Sequence, residues 1–203
     1  MEIVTGSGPA QAELDQPEGP AFLLVLTHGA GGGVDSADLL AARQAALDLG
    51  GAVARVLQPY RVRGAAAPGS ATRQDAAWLE IIGALRPGFG PVPLVQGGRS
   101  NGARVACRTA QAAGAQAVVA LAFPLHPPGR PEKSRAEELR AAGTGVLVIN
   151  GDRDPFGVPD QADAARVVVL PGETHALSGN PEAVREAVRS WLGTVPGIVA
   201  GKS

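Results

Sequence analysis

Six stretches of the chain are apolar at nearly every position. They are AFLLVLTHG (21–29), AVARVLQ (52–58), VPLVQ (92–96), AVVALAF (117–123), VLVIN (146–150) and RVVVL (166–170). Short uninterrupted runs of this kind, rich in valine and leucine, predict strands buried on both faces, as in a parallel sheet. Between them apolar residues recur at helical spacing. SADLLAARQAALDLGG opens on Ser36 as a candidate N-cap and stops at Gly50. TRQDAAWLEIIGAL (72–85), NGARVACRTAQAAG (101–114) and PEKSRAEELRAAG (131–143) predict three more helices. In NPEAVREAVRSWL, Asn180 caps, Pro181 takes the first helical position, and Val184, Ala187, Val188, Trp191 and Leu192 share one face. Residues 1–20 predict a hairpin, with strands near Glu2–Thr5 and Gln11–Leu14, and TVPGIVAGKS (194–203) reads as a loose tail.

Alternating strands and helices predict one α/β domain over residues 1–203. The expected architecture is a three-layer α/β/α sandwich on a mainly parallel sheet of about seven or eight strands, with right-handed crossovers. No internal repeat and no domain linker interrupts the pattern.

Composition narrows the function classes. A net charge of −1 with no basic stripe speaks against nucleic acid as a partner. No apolar run reaches the roughly 18 residues of a membrane span. The first sixteen residues carry neither a basic region nor an apolar segment, so no secretory signal is expected. One cysteine, Cys107, excludes an internal disulfide and a cysteine zinc cage, and a cytoplasmic protein is expected. No metal-ligand spacing appears and no phosphate-binding glycine fingerprint follows a strand, so neither metal nor cofactor is expected.

In a sheet of this kind ligands bind beyond the carboxyl ends of the strands. Those ends read THGAGGG (27–33), QPYRVRG (58–64), GGRSNG (97–102), FPLHPPGRPEK (123–133), NGDRDPFG (150–157) and PGETHAL (171–177). Ser100 lies in a Gly-x-Ser-x-Gly pentapeptide between a strand and a helix. With 28 glycines and 8 serines in the chain, roughly 0.15 such matches arise by chance, so the pentapeptide needs its context. The context is present. Carboxylates follow the fifth apolar run and His175 follows the last, giving the chain order Ser, Asp, His. A serine hydroxyl needs a base to become a nucleophile. His175 can be that base, and an aspartate would fix its tautomer and stabilise the imidazolium. The backbone N–H of Asn101, after the nucleophile, and one from the HGAGGG loop, with Ala30 the choice, are the candidate oxyanion donors.

HGAGGG, GGRSNGARVA, FPLHPPGRPEK and GDRDPFG together resemble the α/β-hydrolase superfamily, over about residues 20–192. Within it they are similar to a small lidless branch related to dienelactone hydrolases. The resemblance implies the α/β-hydrolase fold without a cap domain and a Ser100–Asp154–His175 triad. Its Gly-x-x-Asp spacing selects Asp154 over the neighbouring Asp152. It implies a serine hydrolase acting on a small-molecule ester, less readily a thioester or amide, through an acyl-serine intermediate. Dienelactone hydrolases usually carry cysteine where this chain has Ser100, and Gln96 stands where an aliphatic residue is expected before the turn. Some animal relatives are subunits of chromatin-modifying assemblies, so the alternative is a degenerate hydrolase fold serving as a binding or scaffold module.

Other strand-end residues admit two readings. Arg99 is a candidate for binding a substrate carboxylate, or for an internal ion pair. His126, among prolines, is a candidate substrate-binding residue or a rigid pocket wall. His28 reads as a structural histidine that bonds the loop backbone, and Cys107 as core packing. Phe123 and Val146 are separated by only 22 residues (124–145), most of them needed for a crossover helix, which leaves no room for a lid.

Overall fold

The computed structural model describes residues 1–198. Eight strands form one sheet: β1 (Glu2–Thr5), β2 (Gly8–Asp15), β3 (Leu23–Thr27), β4 (Ala52–Leu57), β5 (Leu94–Arg99), β6 (Ala117–Leu121), β7 (Gly145–Gly151) and β8 (Arg166–Leu170). Their spatial order is β1-β2-β4-β3-β5-β6-β7-β8. The hairpin β1–β2 is antiparallel and joins β4 antiparallel, and every pair from β4 to β8 is parallel. The chain moves from β3 outward to β4 and then returns to lay β5 on the other side of β3. At such a reversal the loops leaving the two central strands diverge and open a crevice. Here those are the loops after Thr27 and Arg99.

Six helices cover the sheet: α1 (Ala37–Asp48), α2 (Pro59–Val62), α3 (Ala71–Leu85), α4 (Asn101–Ala113), α5 (Ala136–Arg140) and α6 (Pro181–Leu192). Leu39 and Ala42 of α1 and Val184 and Val188 of α6 pack with Leu24, Val119 and Leu147 on one face. On the other face, Trp78 and Ile81 of α3 pack with Val25 and Ala54. Beside them Ala103 and Ala106 of α4 and Leu139 of α5 pack with Val118 and Val148. The sheet is thus buried on both sides, which is why its strands read as unbroken apolar runs. Alanine dominates α1 and α4 where they meet the strands, so these helices sit close to the sheet. Cys107 is part of this packing, and burial pushes its thiol well above the ordinary range.

Four elements depart from the sequence reading. β5 runs to Arg99 rather than Gln96, because Gly97, Gly98 and Arg99 still pair with Val119, Ala120 and Leu121. β6 stops at Leu121, where Ala122 turns to φ 46°. The helix expected over 131–143 shrinks to Ala136–Arg140. Pro127, Pro128 and Pro131 have no N–H to give a helix. The segment before it instead folds in turns tied back by Arg135 N–H to Leu125 O at 2.7 Å and Arg135 Nη1 to Pro124 O at 2.9 Å. The tail expected over 194–203 is not loose in its first half. Val195 and Ile198 are buried against the α1–α6 face of the core, and the rest of that stretch lies outside the described residues. Among the described residues no helix is long and apolar enough to cross a membrane.

Candidate active site

Ser100 joins β5 directly to α4, with no loop between them. The abrupt change of direction puts it at φ 53°, ψ −114°. This left-handed conformation costs a non-glycine residue on the order of 1–3 kcal/mol, and the surrounding packing must hold it. The packing is tight. A Cβ on Gly98 or on Gly102 would come within 2.7 Å of Thr27 O, so only glycine lets the turn press against the end of β3. Ser100 N–H donates to Leu121 O at 2.9 Å, which extends the β5–β6 ladder into the turn itself.

The strand ends expected to supply the partners converge on Ser100. His175 Nε2 lies 2.9 Å from Ser100 Oγ, and His175 Nδ1 lies 2.8 Å from Asp154 Oδ2. Asp154's side chain is fully buried, whereas His175's is 19% exposed. Burying a carboxylate is costly unless its oxygens are bonded. Phe156 N–H donates to Asp154 Oδ1 at 2.9 Å, and Asn150 Nδ2 approaches Oδ2 at 3.4 Å. Asp152 is elsewhere: exposed, it accepts Gly172 N–H at 2.7 Å. The structure therefore joins Asp154, and not Asp152, to His175.

The HGAGGG loop lies across the turn from Ser100, as expected. A Cβ on Gly29 would stand 3.3 Å from Ser100 Cβ. Gly32 N–H donates to Gly29 O at 3.1 Å and curls the loop around Ala30. Neither Ala30 N–H nor Asn101 N–H has an acceptor among the described residues. Asn101 also opens α4, where the helix dipole adds partial positive charge. The Asn101 side chain is held away by Nδ2 donation to Gln74 Oε1 at 2.6 Å.

His28 is structural, as its position suggested. Its Nδ1–H donates to Gly29 O at 2.7 Å and its Nε2 accepts Gln58 N–H at 3.0 Å. Burial holds its pKa below the ordinary histidine value, partly opposed by the Gly29 bond. Tyr60 and Arg61 secure the same loop, through Tyr60 Oη to Gly29 O at 3.4 Å and Arg61 Nε to Gly32 O at 3.1 Å. Burial raises the Tyr60 hydroxyl to about 12, so it remains a donor.

Arg99 makes the internal ion pair, the second of the two readings that the sequence offers. Its Nε stands 2.9 Å from Oδ2 of the fully buried Asp38, and its Nη2 donates to His175 O at 2.8 Å. The guanidinium is occupied inside the protein. His126 sits beside the acid loop: its N–H donates to Phe156 O at 3.0 Å and its Nδ1 to Pro127 O at 2.9 Å. None of its hydrogen bonds reaches Ser100 or His175.

Three residues escaped the sequence reading. Asn150 was taken only as a strand end. It accepts Phe123 N–H at 2.9 Å and donates to Phe123 O and Gly157 O, each at 3.0 Å, which fixes the acid loop. A polar residue closing an apolar run was its signal. Phe156 lies with its ring centroid 4.3 Å from that of His175, tilted by 33°. Asp38, the fully buried partner of Arg99, is the third. Gln96, odd before such a turn, has a physical account: it accepts Trp78 Nε1–H at 2.9 Å and donates to Ala106 O at 2.6 Å, joining α3 to α4 under the sheet.

This fold is shared. A profile of the family described as alpha/beta hydrolase domain matches residues 20–179. The chain belongs to this alpha/beta hydrolase family. Comparison with curated proteins finds no match. Among solved structures, it is similar to an alpha-beta serine hydrolase homologue from Coxiella burnetii, with TM-score 0.78 and 17% identity over 95% of this chain and 96% of that one. It is also similar to XC6422 from Xanthomonas campestris, described as a serine hydrolase without lid, with TM-score 0.68 and 22% identity over 97% and 94%. A dienelactone hydrolase from Anabaena variabilis gives TM-score 0.73 and 18% identity over 96% of each chain. At such identities the likeness is one of fold. The eight-stranded sheet agrees with the capless architecture of about seven or eight strands expected from the sequence.

Proposed function

We infer that the chain is a serine hydrolase that cleaves small esters through an acyl intermediate on Ser100. The observation that carries this is the unbroken line Asp154 Oδ2–His175 Nδ1 at 2.8 Å and His175 Nε2–Ser100 Oγ at 2.9 Å. In the mechanism it supports, His175 Nε2 takes the Ser100 proton as Oγ attacks the ester carbonyl carbon. The carbonyl π electrons move to oxygen, and the N–H groups of Ala30 and Asn101 receive the resulting oxyanion. Such a donor is typically worth about 10²–10³ in rate. Asp154 stabilises the imidazolium meanwhile. As the tetrahedral centre collapses, the C–O bond to the leaving alkoxide breaks and His175 protonates it. Water then repeats the sequence on the acyl-enzyme, with His175 again as base, and releases the acid and free Ser100. The reaction needs neither metal nor cofactor. His126 and the prolines beside it form a stiff wall near the acid loop.

A fluorophosphonate probe tests this reading. It should label the wild-type protein at Ser100, and Ser100→Ala and His175→Ala should stay unlabelled. An unlabelled wild-type protein would instead favour a fold kept for binding. An adduct on another serine would show that the nucleophile is misassigned.

A further inference from the structure

We propose that Arg99, locked to the buried Asp38, is the positioning residue that sets the height and orientation of His175 over Ser100. This deepens the hydrolase reading above and rests on it. The two side chains that define the reaction line are held from opposite ends. Asp154 fixes the His175 ring through Nδ1, but a bond to the ring does not by itself hold the His175 backbone. The His175 backbone is held by a different group, Arg99 Nη2, at 2.8 Å from His175 O. Arg99 directly precedes the nucleophile in sequence, so the span from Ser100 Cα to the His175 backbone is closed by one side chain and one hydrogen bond.

The guanidinium is itself immobilised. Its Nε lies 2.9 Å from Asp38 Oδ2, with side-chain exposures of 19% and 0%. The pair is close but not aligned as a hydrogen bond, since neither Arg99 Nε nor Asp38 Oδ2 finds a properly directed partner. Asp38 Oδ1 accepts Leu39 N–H at 2.9 Å in the first turn of α1, which anchors the carboxylate to the helix. Burial holds the Asp38 pKa above the ordinary carboxylate value, partly opposed by the Ser36 hydroxyl and by Arg99. A Cβ on Gly29 would lie 3.4 Å from Arg99 Nη1, so the same guanidinium also backs the loop that carries Ala30. One planar group, stiff and permanently charged, therefore contacts the base loop, the oxyanion loop and α1 at once. Lysine, with a single ammonium, cannot span these three directions.

The test must separate alignment from stability. Arg99→Met strands a buried carboxylate and should lower the Tm by roughly 10 °C. Asp38→Asn combined with Arg99→Met removes both charges and should recover most of that loss. Turnover of p-nitrophenyl acetate should behave differently. In both variants kcat should fall by about 10²-fold, as a displacement near 1 Å can cause, with KM changed by less than about threefold. Methylguanidine added to Arg99→Ala should restore part of kcat, because the site is partly open to solvent. Recovery of kcat in the double variant would overturn the proposal, reducing the pair to a stabilising contact. If the wild-type protein hydrolyses no ester and takes no fluorophosphonate, the hydrolase reading fails first. The positioning claim is then read on the His175 Nδ1–H proton resonance. Its loss in the double variant would uphold the positioning, and its persistence unchanged would refute it.

Discussion

Gly151 ends β7 directly against the carbonyl of Glu173, so close that a Cβ on Gly151 would overlap that oxygen. The contact joins the strand that leads to Asp154 to the loop that carries His175. Arg153 N–H donates to the same Glu173 carbonyl at 3.0 Å, and Glu173 Oε2 accepts Gly179 N–H at 3.2 Å, closing the loop on itself. The strand end that leads to Asp154 and the loop that carries His175 are therefore tied together at Glu173, two residues before the histidine. Gly151→Ala should cost more than about 2 kcal/mol, since backbone rather than a flexible side chain must yield. Urea unfolding checks the stability, and ester turnover at a temperature where the variant is folded should show kcat reduced as well. Wild-type values for both would show that the loop yields freely.

The two carboxylates of the acid loop should separate sharply. Asp154→Asn keeps the shape but favours the wrong histidine tautomer, and kcat should fall by about 10³–10⁴-fold with little loss of Tm. Asp152→Asn touches only an exposed bond to Gly172 N–H and should change kcat by less than about threefold. Steady-state kinetics on both proteins decide the matter, and the reverse ranking would reassign the acid.

Stability should decline with mild acid, and His28 should be a named source. Its folded pKa lies below the ordinary value of 6.5 because burial disfavours the imidazolium, and its Nε2 is already accepting Gln58 N–H. Above 6.5 both folded and unfolded forms are neutral there. As pH falls from 6.5 toward the folded pKa, the unfolded chain takes the proton first, so unfolding becomes easier. Urea titrations at a series of pH values should show this slope in wild type. His28→Asn, less stable throughout, should show a flatter one. Parallel slopes would remove His28 from the account.

The absence of a cap should shape substrate preference. The segment between β6 and α5 is short and tied down by Arg135 to Leu125 O and Pro124 O, so nothing there can fold over a long acyl chain. Acetyl and butyryl esters should give kcat/KM at least equal to that of palmitoyl esters, without a jump at the micellar threshold. A clear palmitoyl preference would point to a hydrophobic channel outside these elements.

The sheet was legible because a strand covered on both faces must be apolar at every position, and β3 and β6 are such strands. The candidate site was legible because Ser100, the two acids Asp152 and Asp154, and His175 each follow one of those runs, where the topology collects loops, while the choice of Asp154 over Asp152 came from the family resemblance. What stayed hidden depends on direction rather than composition. Nothing in the letters around Arg99 tells whether its guanidinium turns outward to a ligand or inward to Asp38, because that choice is made by α1, sixty residues earlier in the chain. Asn150 and Phe156 were unread for a similar reason, since their partners are backbone atoms and a ring brought near only by folding. The crossover helix was overread: its charged, alanine-rich pattern suits a helix, but Arg135 is drawn away to Leu125 and Pro124.

Cys107, sealed in the packing between α4 and the sheet, has a practical consequence. It is the chain's single cysteine, fully buried, with its thiol held in the protonated form by that burial. Maleimide chemistry reacts with the exposed thiolate, so the folded protein is blank to it. A cysteine introduced on the proline-rich segment, for example at exposed Arg130, would be the one place a fluorophore could attach. The dye would then report on that segment with no background from the rest of the molecule, and without first engineering the native cysteine away.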